Sequence, residues 1–149
     1  PTQAQLHALR HAIPAGVNET VIRNQMPKVG TDLAVPDEAL ATMMDAYENA
    51  PVDFVLFGHI GDNHLHLNLL PTNEEELATA RAYYDTLAQL AIDCGGTVSA
   101  EHGIGKLKKK HLRMMLPDTV INQFIQLKRE LDPNWILGRG NLFDENSVS

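Results

Sequence analysis

The order of local patterns predicts an α+β domain of the ferredoxin-like, split βαβ kind, with helices on one face of an antiparallel sheet and extra helices at both ends. Three observations carry that expectation. Four short runs, near residues 32–35, 52–60, 64–69 and 97–100, are apolar or strictly alternating and read as strands. Helical apolar spacing fills the intervals between the first and second runs and between the third and fourth. Turn chemistry, Gly61-Asp62-Asn63, joins the second run to the third.

Taken in order, residues 2–24 read as helical, with Leu6, Leu9 and Ile13 at helical spacing and Pro14 expected to break or restart the helix. Residues 25–30 read as a linker. Asp32-Leu33-Ala34-Val35 is a short strand stopped by Pro36, and Leu40, Met43, Met44 and Tyr47 mark one buried helix face. His64-Leu65-His66-Leu67-Asn68-Leu69 alternates polar with apolar, which puts the leucines on one sheet face and His64, His66 and Asn68 on the other. Thr72-Asn73-Glu74-Glu75 fits a capping box and opens a long helix through Leu77, Ala80, Tyr84, Leu87, Ala88 and Ala91, closed by Gly95-Gly96. Thr97-Val98-Ser99-Ala100 is the fourth strand, two helices follow at about 104–115 and 118–131, and the polar end from Asn141 is expected to fray. The whole chain reads as one domain over 1–149: a core at 31–100, a helical segment at 1–30 and C-terminal helices within 101–149.

Composition narrows the function classes. With 149 residues, 44% hydrophobic and 21% charged, the chain is long enough to bury a core without disulfides or a metal. No apolar run approaches the ~20 residues of a membrane helix. A net charge of -7 argues against a general nucleic-acid binder. Five basic residues nevertheless fall within residues 106–113, most simply a solvated helix face and otherwise a positive rim for a dicarboxylate or a neighbouring domain. Cys94, Trp135 and Tyr84 read as packing residues. A single cysteine and no signal-peptide pattern suit the cytoplasm, with a mitochondrial location left open. The chain begins at Pro1, which suggests a processed protein or part of a longer one.

The chemistry gathers around four histidines. If residues 61–64 form a four-residue loop, His59 faces His66; a two-residue turn instead opposes His59 to His64. Two imidazoles on one sheet face reach a common metal at about 2.0–2.1 Å, and a carboxylate completes a set with open positions for a substrate. Glu101, leaving the fourth strand, supplies that carboxylate, because the fourth strand is expected beside the hairpin. Neighbours in extended chain point apart, so His102 is left free to act as a base. Asn68 faces the same cavity, and Gly103 and Gly105 let the backbone approach a bound group. The bland alternative is a set of hydrogen-bonded histidines beside glycine-rich turns, of equal weight on spacing alone.

At these residues a family resemblance enters. Gly58-His59-Ile60-Gly61-Asp62-Asn63-His64-Leu65-His66-Leu67-Asn68 resembles the G-H-x-G-D-G-N-x-H-x-N motif of the FAD-linked oxidase C-terminal domain, within the vanillyl-alcohol oxidase superfamily. The segment from Gly95-Gly96-Thr97 through Ala100-Glu101-His102-Gly103-Ile104-Gly105 is similar to a second motif of that family. Leu131-Asp132-Pro133 with Ile136-Leu137-Gly138-Arg139-Gly140-Asn141 is similar to its closing segment. The family includes D-2-hydroxyglutarate dehydrogenase, D-lactate dehydrogenase and the glycolate oxidase flavoprotein subunit, and the resemblance runs from about residue 9 to residue 143.

What the resemblance implies is specific. His59, His66 and Glu101 would bind a divalent metal, typically zinc, with His102 as catalytic base. Asn68, Arg10 and Lys28 would hold the substrate, and Gly103 and Asn141 would touch the cofactor. The function implied is FAD-dependent, metal-assisted oxidation of a 2-hydroxy acid to a 2-oxo acid, with hydride passing to FAD held by a separate, preceding domain. The chain alone is expected to be colourless and inactive. A homodimer is compatible with this, and the electron acceptor is open. Two departures stand out: the family's Gly-Asn in the turn is Asn63-His64 here, so His64 competes as a ligand, and Gly30 replaces a family lysine, leaving Lys28 nearby. The rival readings are a free-standing metal-dependent hydrolase or non-haem Fe(II) enzyme, since two histidines and a carboxylate also suit Fe(II), and a binding module without chemistry.

Overall fold

The computed structural model describes residues 1–144. Its elements are α1 (Gln3–Asn24), β1 (Val29–Gly30), β2 (Leu33–Ala34), α2 (Leu40–Glu48), β3 (Phe54–His59), β4 (His64–Leu69), α3 (Glu74–Asp93), α4 (Lys109–Met115) and α5 (Asp118–Leu131), with single 3-10 turns at Asp37–Ala39 and Ile60–Asp62. The result is the expected α+β architecture.

The central strand is β4. On one side it pairs antiparallel with β3, and on the other with β1 and β2 in succession. The pairs Val29↔Leu69, Gly30↔Asn68, Leu33↔Leu65 and Ala34↔His64 keep one register, so β1 and β2 are two pieces of one strand interrupted at Thr31 and Asp32. The segment read as a linker therefore contains β1. The interruption is local: Thr31 still donates its N–H to Leu67 O at 3.0 Å, while Leu67 N–H goes to the Thr31 hydroxyl, also at 3.0 Å.

The fourth strand is reduced to one bridge, Ala34↔Thr97, with Ala100 N–H reaching Asp32 O at 3.1 Å. It lies outside β2, at the edge away from β3, and not beside the hairpin as expected. The reason lies at Gly96, whose Cα passes so close to the backbone oxygens of Ala34 and Ala91 that no side chain fits. That close approach seats the chain against β2 as it leaves α3.

Alternation along β4 sets the two faces. Leu65, Leu67 and Leu69 join Leu33, Met43, Tyr47, Ala80, Leu87 and Ala91 in one buried cluster beneath α2 and α3. Each fully buried leucine contributes about 1.5–3 kcal/mol. Burial does not alternate, however: all six residues of β4 are buried, because the face of His64, His66 and Asn68 is also covered. The cap of α3 is shifted by one from the expected box. Asn73 is the capping residue, accepting from Glu76 N–H at 2.9 Å, while the Glu76 carboxylate accepts from the Thr72 N–H and hydroxyl.

Helix α1 runs through Pro14 without interruption. A proline there removes one backbone hydrogen bond, and the helix is held at its ends by the Thr2–Gln5 capping box and by Asn24, whose amide donates to Leu70 O and Pro71 O. The first C-terminal helix is shorter than expected. A second small cluster, Leu112, Ile121, Ile125 and Phe143, closes the C-terminal part, so residue 143 is packed rather than frayed. The rest of the polar end, residues 145–149, lies outside the described residues.

Candidate metal and substrate site

The site is built on the sheet face opposite α2 and α3. The β3–β4 register pairs His59 with His64, Phe57 with His66 and Val55 with Asn68. Of the two pairings open to the sequence, the structure takes the one that opposes His59 to His64, yet with a four-residue loop. That loop is the 3-10 turn at Ile60–Asp62 followed by Asn63 in the left-handed region at φ 49°, a conformation that asparagine tolerates. The Asn63 amide is held by Asp37 Oδ1 at 2.5 Å. Since strand side chains repeat every two residues, His59, His64 and His66 still share one face.

Glu101 meets that face. Its Oε2 lies 3.4 Å from His59 Nε2 and its Oε1 2.9 Å from His66 Nε2. The 3.4 Å separation matches the about 3.3–3.5 Å between donors bound to one tetrahedral ion at about 2.0–2.1 Å, and the nitrogen–oxygen donor set suits a zinc-type cation. Ligand atoms of His59, His64, His66 and Glu101 all lie within 4.8 Å of one another. His66 is set for this by Thr31, whose carbonyl stands 3.2 Å from Nδ1; with the proton there, Nε2 keeps its lone pair. Burial alone would raise the Glu101 carboxyl, but the three neighbouring histidines hold it below the usual range. The His64 imidazole, buried and beside His66, is pushed down.

His102 does not point away from Glu101. The two side chains converge, with His102 Nε2 3.3 Å from Glu101 Oε1 and its ring stacked on His66 at 4.9 Å. The physical reason is that residues 101–105 are not extended chain. Gly103 takes φ 70° and Gly105 φ 53°, and the N–H groups of Glu101 and His102 both donate to one carboxylate, that of Asp32, at 3.1 and 3.0 Å.

Asp32 is the residue that sequence reasoning missed. It is fully buried and also accepts from Ser99 Oγ at 3.0 Å and Lys108 Nζ at 2.5 Å, with His64 Nε2 at 3.0 Å. Burial pushes its carboxyl up, and the hydrogen bonds from Lys108, the Glu101 and His102 amides and Ser99 outweigh that, holding it far below the ordinary carboxylate range. The available signal was an acidic side chain inside an otherwise apolar strand, which is seldom buried unless paired. Lys108 was hidden in the basic stretch, whose other members do lie at the surface, Lys109 paired with Asp144 and Lys110 with Asp85.

A cavity of about 640 Å³ opens over this cluster, lined by His59, His66, Asn68, Glu101 and His102 and walled by Arg10, Ile13 and Pro14 of α1. Lys28 reaches in and donates to Asn68 Oδ1 at 2.6 Å, past Gly30, where a side chain is lacking. Burial lowers the Lys28 ammonium from its ordinary value. Arg10, Lys28, Asn68, His59, His66, Glu101 and His102 are thus brought together. Gly103 and Asn141 do not line the cavity; Asn141 instead bonds through its N–H to Gly138 O, in a segment that ends on Gly105. No helix among the described residues is long and apolar enough to cross a membrane.

Comparisons with known proteins show which family the chain resembles. Residues 2–142 match the family described as FAD linked oxidases, C-terminal domain. The D-2-hydroxyglutarate dehydrogenase of Xanthomonas citri pv. viticola is 34% identical over 151 aligned positions, covering 97% of this chain and 32% of that protein. The glycolate oxidase subunit GlcD of Bacillus subtilis is 30% identical over 122, covering 78% of this chain and 26% of that subunit. The mitochondrial D-lactate dehydrogenase [cytochrome] of Kluyveromyces lactis is 31% identical over 117, covering 76% and 20%. The chain therefore spans between a fifth and a third of these relatives, and it belongs to the family of FAD-linked oxidase C-terminal domains.

Proposed function

We propose that this chain is the substrate- and metal-binding part of an FAD-dependent 2-hydroxy acid dehydrogenase, which oxidises the hydroxyl to a 2-oxo acid. The observation that carries the reading is the convergence of His59, His66 and Glu101 in one cavity that also holds two cations, Arg10 and Lys28. Its relatives, by name, act on glycolate, D-2-hydroxyglutarate and D-lactate, all 2-hydroxy acids. The same family membership weighs against a free-standing hydrolase, Fe(II) enzyme or idle binding module.

His59, His66 and Glu101 would hold a divalent metal, zinc by the chemistry of the donors. When bound, the metal supplies Lewis acidity toward the substrate hydroxyl and FAD supplies the two-electron acceptor. Everything else falls to the chain. Arg10 and Lys28 attract the carboxylate, and Asn68, braced by Lys28 and by its own bond to His66 O at 3.2 Å, positions the tail. His102 accepts the hydroxyl proton, its ring fixed parallel to His66. The outer edge of the cavity is open at His59, Glu101 and His102, whose side chains are 45%, 42% and 57% exposed, which fits a flavin carried on a domain outside these residues. FAD contacts by Gly103 and Asn141 belong to that same proposal.

The test is a screen of D- and L-2-hydroxy acids against the intact protein with a dye acceptor, before and after treatment with a chelator. Turnover of a 2-hydroxy acid that is lost on chelation and regained with zinc supports the reading. Turnover indifferent to metal removal, or no hydroxy acid oxidised at all, counts against it.

A further inference from the structure

His64 has no task in that function, although its ring stands beside His59 and His66. It is the partner of His59 across the β3–β4 ladder and only 5% exposed. We propose that His64 is a fourth protein ligand of the same metal, binding through Nδ1 and oriented by Asp32, with the fifth position of an expanded coordination shell left to the substrate hydroxyl. The inference rests on the metal reading of His59, His66 and Glu101.

Three observations lead there. A ring nitrogen of His64 lies within 4.8 Å of the donor atoms of the other three residues, so the four side chains already stand around one point. Imidazoles bound to one ion of this size have ring centroids about 5 Å apart, by the zinc–nitrogen distance and the size of the ring. The observed separations bracket that figure: 4.4 Å for His64 and His66, 5.6 Å for His59 and His64, and 6.1 Å for His59 and His66.

The third observation fixes the nitrogen. Asp32 already accepts from Ser99 Oγ, Lys108 Nζ and the N–H groups of Glu101 and His102, and within that set of donors it takes the acceptor part in the 3.0 Å contact too, so His64 donates from Nε2. Nδ1 is then left with its lone pair. A metal-bound histidine characteristically gives its second ring N–H to a carboxylate or a backbone carbonyl. His66 does so with Thr31 O, and His64 does so with Asp32. The buried side chain of His64 is therefore already held in the state that a ligand needs.

Three imidazoles and one carboxylate favour zinc, nickel, copper and iron over magnesium and manganese more strongly than two imidazoles do. The experiment is zinc X-ray absorption on the intact protein, with zinc affinity measured by chelator competition. The expected spectrum for the unaltered protein has three imidazoles per zinc. In His64→Asn it falls to two, and zinc binding weakens by more than about 100-fold, beyond the ~10–100-fold range of losing an outer partner alone. Two imidazoles in the unaltered protein overturn the role of His64 while leaving the three-residue site intact. Zinc retained in a His59→Ala, Glu101→Ala double variant overturns the metal reading itself, and this inference with it. Should His64→Asn fail to fold, the imidazole count of the unaltered protein decides alone.

Discussion

Lys108 Nζ lies 2.5 Å from Asp32 Oδ2, beneath the loop that carries Glu101 and His102. Both partners are shielded, with side chains 14% and 1% exposed. Removing one member of such a pair leaves an uncompensated charge, at a cost of about 3–5 kcal/mol. Lys108→Met is accordingly expected to lower stability by about that amount, read from the urea midpoint of the intact protein. An unchanged midpoint would show that the ammonium is dispensable.

Roles within the cluster separate by what each variant keeps. His59→Ala and Glu101→Ala should each weaken metal binding by more than about 100-fold and lose turnover with it. His102→Ala should keep stoichiometric metal and lose about 10²–10⁴ in rate, the usual worth of a general base. Metal content by mass spectrometry beside steady-state kinetics makes the comparison, and loss of metal from the His102 variant would refute this division of labour.

Lys28 is assigned to the carboxylate of the substrate, by way of its place beside Asn68. A hydrogen bond to a charged group is worth about 1.5–3 kcal/mol. Lys28→Met should therefore raise KM by about 10–150-fold with a smaller effect on kcat, provided ground and transition states both use the contact. A variant with unaltered KM removes Lys28 from the substrate site.

Acid stability should depend on Asp85. Burial would raise its carboxyl, but hydrogen bonds from Lys110 and His111 outweigh that and hold it below the ordinary value. A carboxyl with a depressed native pKa stabilises the fold above the unfolded value of about 3.9. That contribution disappears as pH falls through the native value. Thermal unfolding between pH 6 and pH 3 (about the range of interest) should thus fall less steeply in Asp85→Asn than in the unaltered protein. Parallel curves would deny the pair any part in acid denaturation.

Gly96 offers a purely steric check. A Cβ there would stand 2.8 Å from Ala91 O and closer still to Ala34 O. Gly96→Ala should destabilise by about 1–3 kcal/mol through forced backbone shifts and loosen the Ala34↔Thr97 bridge, visible as faster amide exchange at Thr97. Unaltered exchange would mean that the bridge does not depend on this approach.

Much of this was legible in the residues themselves. Period-2 alternation in β4 gave its two faces whatever the loop, which is why His59, His66 and Asn68 reach one cavity even though the pairing opposes His59 to His64. Helix periodicity placed α2 and α3 because their buried stripes meet the leucines of β4. What could not be read was whatever depends on contacts distant in sequence. Pro14 does not break α1, since local propensity yields to the cap and the Asn24 anchor. Val29 and Gly30 form strand because β4 offers them a partner, not because of their own preference. The joint orientation of Glu101 and His102 is set by Asp32, whose donors lie as far as 76 positions away.

That span has a kinetic meaning. Asp32 accepts hydrogen bonds from β4, from the segment after α3 and from Lys108 at the N-cap of α4, so it is satisfied only when all three have docked. Loop closure over such separations is slow and comes late. The arrangement of His59, His64, His66 and Glu101 is thus a product of completed folding, reached only once Lys108 has docked on Asp32. Conversely, any ion bound at the cluster would pull the whole equilibrium toward the native state, and local melting near Lys108 would loosen Asp32 and, through its amide contacts, the loop that carries Glu101 and His102.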